Sequence, residues 1–99
     1  RTLRSNGRGT DHAWGGNAMV IGNPVKGKQI YGNFPSLTLK SNIDLGNGVL
    51  IPELPNDLYF AELALWFGLR PNDLHDVFPN LGNFYAKGST KAPIGFLTI

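Results

Sequence analysis

The densest group of chemically able residues is Gly9-Thr10-Asp11-His12, followed at once by Trp14-Gly15-Gly16. A carboxylate and a neutral imidazole both bind Zn²⁺, Mn²⁺ and related ions, with expected bonds of roughly 2.0–2.2 Å. Adjacent side chains diverge on a regular strand, but in a loop flanked by glycine they can converge on one ion. Spacing alone leaves two readings open, a two-ligand metal loop or a turn carrying an exposed imidazole. The chain has no Cys, which removes thiolate nucleophiles and thiolate zinc sites, so any metal site leans on carboxylates. The second histidine, His75, lies between Asp73 and Asp76 and beside the Leu74, Val77, Phe78 stripe, and reads as an exposed helix residue. No phosphate loop, dinucleotide glycine motif or nucleophile elbow is present.

The elements that must position these residues are short. Residues 1–16 are polar and punctuated by glycine, with no apolar period, and read as a loop. The apolar run Ala18 to Ile21, bounded by Gly16 and Gly22, suits a buried strand, with Gln29 to Tyr31 as a hairpin partner. Ser36 to Leu39 and Val49 to Ile51 are further extended candidates around the turn-rich stretch from Asn42 to Gly48. Pro52 and Pro55 stop any strand and precede a helix at about 56–68, with Asn56 as cap, Asp57 in the first turn and Gly68 as a left-handed terminator. Glu62 is its one polar interruption between Leu58 and Phe67, so the helix is expected to be buried on several sides, against more protein than this chain supplies. A second helix is expected at 71–78, with Pro79 ending it.

Composition bounds the class. Gly and Pro together make up about a fifth of the 99 residues and charged residues only 16%, against averages near 12% and 25%. Collagen, coiled coil and acidic tail are excluded, which leaves one loop-rich domain or a piece of a larger one with a modest core. The net charge of +2 divides into +4 over residues 1–48 and −2 over residues 49–99. Arg1, Arg4 and Arg8 do not form the dense basic stripe with interleaved aromatics that a nucleic-acid reader shows, so no nucleic-acid partner is expected. The longest apolar run, Leu63 to Phe67, is far too short to cross a bilayer.

Read together, the blocks in residues 1–84 resemble the C-terminal part of the bacterial DUF1501 family. They are Arg1-Thr2, Gly9-Thr10-Asp11-His12-Ala13-Trp14-Gly15-Gly16-Asn17, Val20-Ile21-Gly22, Val25-Lys26-Gly27, Ile30-Tyr31-Gly32, Phe34-Pro35, Leu50-Ile51-Pro52, Trp66-Phe67-Gly68 and Val77-Phe78-Pro79-Asn80-Leu81-Gly82-Asn83-Phe84. The family is a distant relative of the alkaline phosphatase and sulfatase superfamily. The resemblance implies an α/β fold, here the C-terminal portion of an alkaline-phosphatase-like body with short strands and two helices.

It also implies Asp11 and His12 as ligands of a divalent metal (Zn²⁺, Mn²⁺, Mg²⁺ or Ca²⁺), with Thr10 as a supporting hydrogen-bonding group. The implied activity is hydrolysis of small phosphate or sulfate esters, with Arg1 or Arg4 facing the substrate anion. The nucleophile and remaining ligands would come from the rest of a full-length chain, and two protein ligands alone make no tight site. The alternative is a binding or structural domain that keeps the scaffold without the chemistry. An exported, periplasmic location follows from the resemblance as well.

Overall fold

The computed structural model describes residues 1–99. The chain divides into two compact units, the first formed by Arg1–Met19 and Gly32–Glu53, the second by Val20–Tyr31 and Leu54–Ile99.

The second unit holds every buried hydrophobic side chain. Helix α1 runs Asn56–Phe67. Pro55, with φ −66° and extended ψ, occupies the cap position in place of Asn56, which is already helical. Gly68 ends the helix at φ 111°; its N–H and that of Leu69 donate to Leu65 and Ala64 carbonyls at 3.1 and 2.9 Å. That crossed pair satisfies two of the carbonyls a helix end leaves free, and the left-handed turn suits a residue without Cβ. The expected second helix is a single 3₁₀ turn, Pro71–Asp73, running into the short helix α2, Leu74–Val77; another 3₁₀ turn follows at Leu81–Asn83.

Ala61, Leu74 and Leu81 are fully enclosed, with Leu58, Leu65, Leu69, Phe78 and Tyr85 packed around them. Val77 stays more than half exposed, because α2 ends within one turn and only Leu74 and Phe78 of its stripe reach the core. Nor is α1 buried on several sides. Phe60, Trp66 and Phe67 are exposed, and Phe67 retains 87% of its accessible surface.

The buried polar exception is Glu62. Its side chain is fully enclosed, and its carboxylate accepts N–H bonds from Ile94 (2.7 Å), Gly95 (2.6 Å) and Leu97 (2.7 Å). What reads along the sequence as an interruption is thus the anchor of the C-terminal segment, since a carboxylate shared by three amides is a strong acceptor where water is excluded. The segment continues into an antiparallel contact in which Lys26 N–H donates to Phe96 O (2.8 Å) and Thr98 N–H to Pro24 O (2.7 Å), around the pair Val25 and Leu97. Phe96 is buried, stacked on Tyr59 at 5.6 Å and edge-on to Tyr31 at 6.1 Å.

The first unit, and residues 20–31 of the second, are built largely from turns. The strand expected at 18–21 does not form, and Met19 and Ile21 are exposed at 84% and 87%. The 29–31 and 36–39 segments form no strand either. A four-residue β-prone run becomes a strand only where a neighbouring backbone completes its ladder, and none does so here. Residues 49–51 do pair. Ile51 N–H donates to Ile43 O and Leu45 N–H to Val49 O, both at 2.9 Å, so Ile43 to Ile51 is a hairpin. Asn47 (φ 57°) and Gly48 (φ 74°) form its tip, the positive-φ pairing that a tight hairpin turn demands.

Candidate functional site

Residues 1–12 fold back on themselves. Asn6 N–H donates to Gly9 O (2.9 Å), and Ser5 sits opposite Thr10. Thr2 closes the loop. It is buried, its N–H donates to Asp11 O (3.0 Å), and its hydroxyl accepts from Asp11 N–H (3.1 Å) while donating to Arg4 O (2.9 Å). The backbone of Asp11 is therefore pinned through both its N–H and its carbonyl by one small side chain.

Thr2 in turn leads into the hairpin tip. Leu3 N–H donates to Gly48 O at 3.0 Å, and the approach is so close that a Cβ on Gly48 would lie 2.6 Å from the Leu3 Cβ and backbone nitrogen. Position 48 needs glycine both for that contact and for its φ of 74°.

Of the residues the sequence singles out, the structure joins Arg1 to Thr10. The Arg1 guanidinium donates to the Thr10 hydroxyl (2.9 Å) and to the Thr10 carbonyl oxygen. Arg1 therefore braces the loop. Asp11 and His12 are both exposed. Asn6 Nδ2 donates to Asp11 Oδ1 at 2.7 Å, while Asn6 Oδ1 accepts from Arg8 N–H at 2.9 Å. Arg4 points elsewhere, donating to Asn47 Oδ1 at 3.3 Å.

No group of three or more His, Asp or Glu side chains gathers closely enough to hold a metal ion. A catalytic metal takes three protein ligands as a rule. Asp11 and His12 would supply two of the ligands of such a site.

His75 is not the exposed helix residue its sequence context suggests. It is half-buried, with Nε2 at 2.9 Å from Tyr85 O and its ring stacked on Tyr85 at 6.4 Å, and its Nδ1 is buried without a partner. The 3₁₀ turn at Leu81–Asn83 brings Tyr85 back over α2, a closure that side-chain periodicity within α2 does not encode.

Sequence reasoning also passed over Asp44. Its carboxylate accepts from Lys40 N–H (2.8 Å), Gly46 N–H (2.8 Å) and Gly48 N–H (3.1 Å). The Lys40 and Gly46 bonds lead in holding its pKa below the ordinary 3.8; burial opposes them, and Gly48 and the charge of Arg4 add smaller help. An Asp followed by glycine two and four residues on is the pattern of a side chain capping its own turn, and it is present in the sequence.

In comparisons with known proteins, no family model, no curated protein sequence and no solved structure matches the chain. No helix is long and apolar enough to cross a membrane.

Proposed function

We propose that residues 1–99 form the C-terminal part of a metal-dependent hydrolase of phosphate or sulfate esters, akin to the DUF1501 family and its alkaline-phosphatase-like α/β fold, and that this part supplies Asp11 and His12 as metal ligands. The observation that carries the reading is the double pinning of the Asp11 backbone by buried Thr2, which leaves the Asp11 and His12 side chains exposed on a fixed loop. Donor groups on an ordered loop are preorganised for a ligand. Thr10, held by Arg1, supports that loop from the preceding residue. The remaining ligands, the nucleophile and an exported location belong to the rest of the full-length chain in this proposal.

Exposed apolar groups support a larger body. Phe60, Trp66 and Phe67 on α1 are the apolar groups such a body would cover.

A second reading, a binding or structural domain without catalysis, draws on the bond from Asn6 to Asp11 and on the lack of a third ligand. Metal content separates the two. In the full-length protein, Asp11→Ala and His12→Ala should each sharply lower bound divalent metal by elemental analysis, and hydrolysis of p-nitrophenyl phosphate or sulfate should fall with it. Unchanged metal stoichiometry in both variants removes the ligand assignment and favours the second reading.

A further inference from the structure

Beside the hairpin tip, Arg4, Leu39, Lys40, Ser41, Asp44 and Leu45 line an open cleft of about 510 Å³, within the size range of small-molecule sites. The charges and apolar groups on its walls set its chemistry. Two cations border it. Arg4 spends one N–H on Asn47 and keeps the rest of its donors, and Lys40 is exposed with no carboxylate against it, the chain's one ion pair being Arg70 with Asp73. Asp44, the single opposing charge, has both oxygens engaged by backbone amides. The backbone of Lys40 is left-handed (φ 62°), a conformation held by its own N–H bond to Asp44. Leu39 and Leu45 add apolar walls, 45% and 58% exposed.

We infer that this cleft binds a small organic oxyanion, a carboxylate or phosphate monoester bearing an apolar group. Arg4 and Lys40 pair with the anionic charge, and the apolar group covers Leu39 and Leu45. The inference is independent of Asp11 and His12 as metal ligands.

The test is an amide-shift NMR titration of the full chain in EDTA, using phenyl phosphate, benzoate and inorganic phosphate as probes. Saturable shifts at Lys40, Ser41 and Leu45 are expected with phenyl phosphate or benzoate, the stronger of the two identifying the anion class, and roughly tenfold weaker binding of inorganic phosphate, which lacks the apolar group. Lys40→Met and Arg4→Met should each weaken binding roughly tenfold. Arg8→Met, which removes a cation outside the cleft, should leave it unchanged. If Arg4→Met loses the native circular dichroism spectrum, the exposed Lys40 decides the matter. Absence of saturable shifts with either organic probe, or an Arg8→Met effect as large as that of Lys40→Met, overturns the inference.

Discussion

The two units of this chain are held together by different physics. In the unit containing α1, the buried side chains are Ala61, Glu62, Leu74, Leu81, Phe96 and Leu97. In the unit containing Asp11 and His12, the buried residues are Thr2 and Gly48, and order comes from side chains bonded to backbone: Thr2 on Asp11, Asp44 on its own turn, Arg1 on Thr10. Apolar burial is non-directional and cooperative, so one unit carries most of the stability. Hydrogen bonds to backbone contribute less each but fix direction, which is what a loop presenting donor groups needs. The candidate chemistry and the bulk of the apolar burial thereby fall in different parts of the sequence.

The contrast can be broken most strongly at Glu62. Glu62→Ala leaves three amides in a dry site without an acceptor and should cost about 3–5 kcal/mol in chemical denaturation, with Glu62→Gln recovering part of the loss. An effect within 0.5 kcal/mol of zero, the ordinary level for a surface change, would show that the C-terminal segment does not depend on this carboxylate. Leu81→Ala, which opens a cavity beside Ala61 and Leu74, should cost about 2–5 kcal/mol in the same assay.

In the other unit the effects are smaller and local. Gly48→Ala places a Cβ against Leu3 and asks alanine to adopt positive φ, a strain of roughly 1–3 kcal/mol. Its readout is faster hydrogen exchange at Thr2, Leu3 and Asp11, with Leu81 and Leu97 unchanged.

The smallest effect concerns pH. The pKa of Asp44 is lowered on folding, so its contribution is present above the ordinary carboxylate value of 3.8 and is lost as pH falls through the lower folded value. The amides of Lys40, Gly46 and Gly48 should accordingly lose protection in acid below about pH 4. Asp44→Asn should flatten that dependence, and an unaltered acid profile in the variant would remove Asp44 as its source.

How far the sequence discloses this arrangement depends on whether the deciding contact is local. Helix α1 is legible from its apolar run and from Pro55 and Gly68, because caps and terminators act within a turn. Asn47-Gly48 is a local hairpin signal as well, hidden by the loop-like composition around it. The role of Glu62 is not legible, since its partners lie 32 to 35 residues away and are backbone amides that carry no sequence mark. His75 misleads for the same reason, its partner Tyr85 arriving through a turn ten residues on. At the candidate site, Asp11 and His12 stand out by residue type, whereas Thr2, the residue that holds them, has no distinguishing neighbour in the sequence.

Native-state hydrogen exchange of the full chain tests the division most directly. The amides of Ile94, Gly95 and Leu97 on Glu62, with Lys26 and Thr98 in the adjoining contact, should be the slowest to exchange and open only with global unfolding. Those of Thr2, Leu3, Asp11 and Gly48 should exchange faster, through local openings insensitive to low denaturant. Equal or reversed protection between the two sets would contradict a molecule whose stability and candidate chemistry reside in separate units.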